Sequence, residues 1–278
     1  MSLYIVSINS GSNGNCYYVG NQSEAILVDA GISCRETEKR MKRLGLSMQK
    51  VKAIFISHEH SDHIDGVAVL SRKYQLPVYI TPATLTNSRL ELEHDLVNTF
   101  KAYEAVGIGK LSVTAFPKFH DAAHAHSFVV SYNDITVGVF TDIGIACDHL
   151  KSHFAQCHAA FLEANYDEWM LENGRYPIQL KRRISGGLGH LSNKQALELF
   201  LSHRPPYMSH LLLSHLSRDN NKPELVQELF NQHADGTEII VASRYQESAV
   251  YYVDGSKQSG NKPIAKNPEN VPVQYSLF

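Results

Sequence analysis

Residues 58 to 63 read "HEHSDH", directly after "VKAIFIS", a run rich enough in Val, Ile and Phe for a buried strand. His58 and His60 fall on one side of an extended chain, because side chains alternate with period two. Asp62 and His63 fall where "DHIDGVAVLSRKY" begins a helix, so two candidate ligands come from a strand end and two from a helix start. One histidine among the 15 of this chain carries little information by itself. Four neutral or anionic donors packed this closely are costly to bury unpaired, whereas a divalent cation satisfies them all through bonds of roughly 2.0 to 2.2 Å. The stretch is therefore expected to hold metal.

Further donors stand at the ends of other apolar runs. His120 comes shortly after "LSVTAFP", Asp142 follows "ITVGVFT", His215 follows "HLLLS" and Asp29 ends "AILVDAG". In a layered α/β fold, strand ends converge on one rim where sites form. The elements that would bring them there are legible as follows. Strands are expected at "LYIVSIN", "CYYVG" and "EAILVDA", then a helix over "RETEKRMKRLGL" with Ser33 and Glu36 as its capping box and Gly45 as its stop. After strand 51–57, one helix runs to about Tyr74, followed by a short strand "PVYIT", a helix from Pro82, and strands near 96–103, 111–117, 126–132 and 134–141. The second half repeats the alternation: strand "AAFLEA", helical "YDEWMLEN" and "SNKQALELFLSHR" capped by Ser192 and Gln195, strand "HLLLS", a helix from Pro223, and strands "TEIIVAS" and "VYYV". Two halves of this kind imply two sheets packed face to face with helices outside.

The chain has 278 residues, 43% of them hydrophobic, enough for one large domain over 1–254. From 255 to 278 the composition turns to Ser, Gly, Lys, Asn and Pro, which implies an extended or mobile tail. No apolar run approaches the roughly 20 residues needed to span a bilayer, and the start lacks a basic segment followed by an apolar one, so a cytoplasmic protein with no membrane partner is expected. Four cysteines, Cys16, Cys34, Cys147 and Cys157, form no CxxC pair and read as buried free thiols. A net charge of −2 argues against coating nucleic acid by bulk positive charge, though a nuclease gripping a few phosphates is compatible with it. The basic run "RETEKRMKRLG" reads as a solvated helix face. "LKRRIS", with Arg182, Arg183 and Ser185, precedes another histidine motif and is either a surface run or a phosphate contact.

With HxHxDH at 58–63 followed in order by His120, Asp142 and His215, and preceded by Asp29, the sequence resembles the metallo-β-lactamase fold superfamily from about Ser7 to Val253. The stretches "SGSNGNCYYV", "KFHDAAHAH", "EANYDEWMLENGRYPIQLKRRI", "GHLSN" and "LLLSHLSRDNN" resemble more narrowly its YycJ/WalJ-type exonuclease group, related to RNase Z and RNase J. The resemblance implies a four-layer αββα sandwich of two packed mixed sheets. It implies that His58, His60 and His120 hold one metal, that Asp62, His63 and His215 hold a second, that Asp142 bridges them, and that Asp29 steadies the ligand loop without ligating. The β-CASP insertion of RNase J has no room before "GHLSN". Where the group carries Pro and Gly after His-Asp-Ala, this chain reads "HAHSF", which adds His124 as an alternative ligand; His120 is favoured over it because it lies nearer the end of its strand, and His126 is expected to start the next strand.

A ligand set of His and Asp without Cys describes two divalent ions about 3.5 to 4 Å apart, Zn, Mn or Fe, which lower the pKa of bound water from 15.7 to roughly 7. Asp62 would orient the nucleophile. A departing sugar oxygen needs a proton, and His190 in "GHLSN" is the candidate donor, with Glu163 at the end of "AAFLEA" fixing its tautomer. His190 as a plain loop cap and Glu163 as a structural acceptor are the alternatives. Ser12 and Asn13 in "SGSNGN" either present N–H groups to a phosphate or form a plain β-turn. The expected function is hydrolysis of nucleic acid, most specifically 5′-to-3′ exonuclease action on DNA leaving 5′-phosphate products. A small-molecule hydrolase of the same fold, a cyclic phosphodiesterase or a glyoxalase II-like thioesterase, is the alternative, and a binding module with an inert metal site is a third reading.

Overall fold

The computed structural model describes residues 2–255, so the tail expected over 255–278 lies, apart from Gly255, outside the described residues. Two seven-stranded sheets face each other. The first contains β1 (Ser2–Asn9), β2 (Cys16–Gly20), β3 (Ala25–Val28), β4 (Val51–Phe55), β5 (Val78–Tyr79) and β6 (Val97–Asn98). The second contains β7 (Ala105–Ile108), β8 (Leu111–Pro117), β9 (His126–Tyr132), β10 (Ile135–Phe140), β11 (Ala159–Glu163), β12 (His210–Ser214) and β13 (Glu238–Val241), after which β14 (Tyr251–Asp254) returns to pair antiparallel with β1. Each sheet is antiparallel on one side and parallel on the other: β1 to β3 and β7 to β10 pair antiparallel, β3 to β6 and β10 to β13 parallel.

Side-chain alternation along these strands creates three apolar layers. Leu3 and Ile5 of β1 face Phe128, Val130, Phe161 and Leu212 between the sheets, while Val6 and Ile8 face outward. The outward face of the first sheet is covered by Met41 of α1 (Cys34–Arg43) and by Val67 and Leu70 of α3 (Val67–Tyr74), which follows the single turn α2 (Ser61–Ile64). After α4 (Pro82–Ser88), the remaining helices belong to the second half: α5 (Asp148–Phe154), α6 (Glu168–Asn173), α7 (Ile178–Ser185), α8 (Asn193–His203) and α9 (Pro223–Asn231). Leu150 and Phe154 of α5, Leu199 and Phe200 of α8, and Val226 and Phe230 of α9 cover the second sheet. Each fully buried side chain of this size contributes about 1.5–3 kcal/mol. The result is the αββα sandwich that the alternation implied.

The differences from expectation have local causes. The helix expected from residue 62 to about 74 is broken at Gly66, whose N–H donates to Ala30 O and where a Cβ would sit 2.0 Å from Ile32 O. Ser33 caps α1 through Glu36 N, but the Glu36 carboxylate turns to Arg40 Nε (2.9 Å), so the reciprocal half of that box is missing. The full capping box is at α8, between Ser192 and Gln195. The strand expected near 96–103 shrinks to β6, and the unexpected β7 forms a hairpin with β8 through Gly109, an exposed edge with little apolar alternation. α7 also escaped notice, since it buries none of its residues. The four cysteines are free, three buried and Cys147 partly so. Among the described residues no helix is long and apolar enough to cross a membrane.

Candidate metal centre and active site

The parallel strands β3, β4, β10, β11 and β12 deliver their carboxyl ends to one rim. Asp29, Ser57, His58, Asp142, Glu163 and His215 stand at or just beyond those ends. Three of them, Asp29 (φ 59°), Asp142 (φ 56°) and His215 (φ 57°), turn the chain in the left-handed region. Short polar residues tolerate that region better than most, and such backbone clusters at functional sites.

The first cluster is His58, His60 and His120, whose ligand atoms lie within 4.8 Å of one another. His58 Nε2 and His60 Nδ1 are 3.0 Å apart, and His60 Nδ1 and His120 Nε2 are 3.3 Å apart. The opposite nitrogens are engaged. Ser57 Oγ donates to Asp29 Oδ2 (2.8 Å) and so accepts from His58 Nδ1 (2.8 Å), while His120 Nδ1 donates to Gly189 O (3.1 Å). His58 Nε2 and His120 Nε2 are left as lone-pair acceptors, both facing His60 Nδ1. Burial pushes the His58 pKa down and that of His120 to about 3, keeping both neutral.

The second cluster is Asp62, His63 and His215, equally close. Asp62 Oδ2 lies 3.7 Å from His63 Nε2 and 3.5 Å from His215 Nε2. His63 Nδ1 is held by Asp29 Oδ2 (2.7 Å), and His215 Nδ1 by Glu163 Oε1 (2.9 Å). Asp142 lies between the clusters, with Oδ2 3.1 Å from His63 Nε2 and Oδ1 3.8 Å from His120 Nε2. Burial would neutralise His63, but Asp142, Asp29 and Asp62 outweigh it and hold its pKa up at about 10 in the chain alone. Burial would likewise raise Asp62, yet His63 and His215 keep it at about 2.

This donor set fits divalent metal ions. Asp142 Oδ2 and His215 Nε2 are buried without a hydrogen-bond partner among the described residues, an expensive arrangement that a cation relieves. The ring nitrogens of His58, His60 and His120 converge within a ligand's reach of one another, and a set of nitrogen and oxygen donors suits Zn or Mn.

Glu163 is fully buried and fully engaged. Oε1 accepts from His190 Nδ1 (2.8 Å) as well as His215, and Oε2 accepts from Ile143 N (2.7 Å) and Leu191 N (3.1 Å). Although it clusters with Asp142, His190 and His215, its oxygens have no capacity left for a metal. Burial would raise its pKa, but His190 and His215 pull it to about 2. His190 stands outside both clusters at the mouth, its side chain 20% exposed, with ring centroids 5.3 Å from His120 and 5.2 Å from His215.

Of the other residues singled out in the sequence, His124 is exposed and away from the ligand set, and His126 begins β9. Arg182 is exposed on α7, Arg183 Nε is paired with Asp121 Oδ2 (2.5 Å), and Ser185 Oγ donates to Lys181 O within the helix. Ser12 and Asn13 are exposed and contact Arg244.

Sequence reasoning missed three residues around the ligands. Asn15 Oδ1 accepts from Gly11 N (3.0 Å) and Tyr17 Oη (3.1 Å), which turns Nδ2 toward His63 Nε2 (3.0 Å) and Asp62 Oδ2 (3.2 Å). Lys118 is buried with Nζ donating to Thr141 O (2.8 Å), and burial lowers its pKa against the pull of the nearby carboxylates. Asn165 Nδ2 donates to His215 O (2.8 Å). Their quoted stretches, "SGSNGN", "KFHD" and "EANYDEW", were the available signal.

The model of the beta-lactamase superfamily domain matches residues 24–215. The chain is 37% identical over 236 residues to exodeoxyribonuclease YycJ of Bacillus anthracis, covering 84% of this chain and 89% of that one. It is 32% identical over 221 residues to exodeoxyribonuclease WalJ of Streptococcus pneumoniae, covering 78% and 82%. Its fold is similar to that of the metallo-beta-lactamase fold protein YhfI from Bacillus subtilis, with TM-score 0.70, 16% identity, and coverage of 91% of this chain and 100% of that one. With its histidines and carboxylates gathered at the shared rim of two packed sheets, the chain belongs to the beta-lactamase superfamily, in the group of YycJ and WalJ.

Proposed function

We propose that this chain is a dinuclear metal-dependent nuclease, most specifically an exodeoxyribonuclease that works 5′ to 3′ and leaves 5′-phosphate products. The names of its relatives in Bacillus anthracis and Streptococcus pneumoniae support the substrate class. The observation that carries the reaction type is His190, a histidine outside both ligand clusters, anchored through Nδ1 to a carboxylate that also anchors the ligand His215.

In this reading His58, His60 and His120 would hold one ion and Asp62, His63 and His215 the other, with Asp142 available to both sets. When bound, the ions supply a nucleophile from water at neutral pH and positive charge for the phosphoryl oxygens. Asp29 fixes the tautomers of His63 and, through Ser57, of His58. Asp62, steadied by Asn15, orients the attacking water. The P–O3′ bond breaks as the new P–O bond forms, and His190 hands a proton from Nε2 to the departing 3′-oxygen. Glu163 holds Nδ1–H, so that Nε2 is the atom that exchanges protons.

The test is an assay of the metal-loaded protein on end-labelled single- and double-stranded DNA and RNA, together with elemental analysis. Stepwise release of 5′-phosphorylated products from DNA and close to two equivalents of Zn, Mn or Fe per chain are expected. Rapid hydrolysis of a glutathione thioester with no cleavage of any polynucleotide would overturn the proposal in favour of a thioesterase.

A further inference from the structure

Arg244 lies on the segment joining β13 to β14, and that segment is fastened at nearly every residue. Ser10 N donates to Ser243 O (3.2 Å), Asn13 Nδ2 to Arg244 O (2.8 Å), and the buried Arg40 Nη2 to Tyr245 O (3.1 Å). Arg43 grips Glu247 with two bonds, and Ser248 N donates to Ser7 O (2.9 Å). The charged end of Arg244 contrasts with its pinned backbone. Among the described residues the guanidinium makes a single long hydrogen bond, from Nη2 to Ser12 Oγ (3.3 Å), and has no carboxylate partner. Nη1 is buried with no partner at all. A partly desolvated guanidinium without a counter-ion is unfavourable, and its fork of donors matches a phosphate in shape.

Its position connects it to the metal centre. A Cβ on Gly11 would lie 3.3 Å from Arg244 Cβ and 3.6 Å from Leu216 O, so the Gly11 turn separates Arg244 from the residue that follows His215. In the same turn, Ser10 Oγ accepts from His215 N (2.8 Å), and Asn15 supports Asp62. The neighbouring Tyr245 is 74% exposed, and exposed aromatic rings are the side chains on which nucleobases stack.

We propose that Arg244 and Ser12 Oγ form a phosphate subsite on the His215 side of the metal centre, which takes a phosphate of the nucleic acid other than the diester being cleaved. The proposal rests on the nuclease reading. The cleaved diester occupies the metal ligands' own space, so a separate anion site beside it fixes how far the strand advances. Because the backbone of residues 243–248 is already fastened, little ordering remains to oppose binding.

The test compares Arg244→Gln and Arg244→Lys with the unaltered metal-loaded chain on 5′-phosphorylated and 5′-hydroxyl oligodeoxynucleotides and on bis(p-nitrophenyl) phosphate, which has no second phosphate. Loss of a charge-assisted bidentate contact corresponds to about 10- to 100-fold in KM for DNA, with kcat changing much less. Arg244→Lys should be intermediate, because it keeps the charge and loses the fork. The loss on bis(p-nitrophenyl) phosphate should be at least about tenfold smaller than that on DNA. A defect confined to 5′-phosphorylated DNA identifies the bound group as a terminal monoester, and an equal defect on both ends identifies a backbone diester. Equal losses on all substrates, loss of metal, or an unchanged KM for DNA would overturn the subsite. If the unaltered protein cleaves no polynucleotide, the nuclease reading fails by itself. Inhibition of bis(p-nitrophenyl) phosphate hydrolysis by inorganic phosphate then decides the subsite: weaker inhibition of Arg244→Gln supports it, and equal inhibition sinks it.

Discussion

Glu163→Gln is a near-isosteric change with a calculable cost. The carboxylate accepts four hydrogen bonds, two from backbone N–H groups at Ile143 and Leu191 and two from imidazole Nδ1 atoms at His190 and His215. A glutamine has one acceptor oxygen and one donor nitrogen, so it can serve one pair only. If its oxygen faces the histidines, the NH2 group opposes two backbone donors. If it is reversed, both histidines must move their protons to Nε2, which takes the lone pair of His215 away from the metal and leaves His190 a neutral imidazole, a far weaker acid than the imidazolium that the carboxylate stabilises. Two buried groups left unpaired cost about 1–3 kcal/mol each, roughly 2–6 kcal/mol in all. A domain with a stability of about 5–15 kcal/mol remains folded at the lower end of that loss. Metal affinity should fall about 10- to 100-fold, as for other carboxylates that orient metal histidines. With metal restored to saturation, kcat on DNA should still be down by about 10²- to 10⁴-fold, the share of general acid catalysis. The assay is kcat on end-labelled DNA at saturating metal, for Glu163→Gln, His190→Ala and the double variant. If Glu163 acts through His190, the double variant is little worse than His190→Ala alone. A metal-saturated Glu163→Gln that keeps its kcat, or fully additive losses, would refute the reasoning.

His190→Ala should lose about 10²- to 10⁴-fold in kcat on DNA while keeping its metal, and lose far less on bis(p-nitrophenyl) phosphate, whose leaving group departs without a proton; equal losses with metal release would put His190 among the ligands. Asp142→Ala should bind one ion loosely or none by elemental analysis, and full metal with full activity would place the bridge elsewhere. Gly31→Ala should destabilise the chain by at least about 1–3 kcal/mol, because its Cβ would fall 1.7 Å from Asp62 O; an unchanged melting temperature with normal metal content would contradict the packing. Removing metal with a chelator should lower the melting temperature and restoring it should raise it again, as read by calorimetry.

The metal centre was legible because its chemistry is locally dense. His58, His60, Asp62 and His63 fall within six residues, and His120, Asp142 and His215 each follow an apolar run whose end the two-sheet architecture brings to the same rim. Asp29 lies beside the ligand loop for the same reason: it directly follows β3, which pairs with β4. The supporting residues were hidden because each is a single polar side chain whose partner is remote in sequence. Asn15 meets Asp62 across 47 positions and Arg244 meets Ser12 across 232, and no local pattern encodes either. The pairing of Arg183 with Asp121, 62 positions away, was hidden for the same reason. β7 and α7 were missed because apolar periodicity reports burial, and these elements are largely exposed.

The left-handed backbone at Asp29, Asp142 and His215 restricts which substitutions the rim can accept. A residue there must meet two independent requirements, the donor atom its neighbours need and a short polar side chain that tolerates positive φ. Glutamate or cysteine at Asp142 would keep a metal-binding atom but not the backbone tolerance, whereas asparagine or glycine would keep the tolerance and lose the negative charge. Aspartate satisfies both. Asp142→Gly would relax the backbone at this turn but would remove the carboxylate that lies 3.1 Å from His63 Nε2, so backbone ease and the chemistry of the rim oppose each other at a single position.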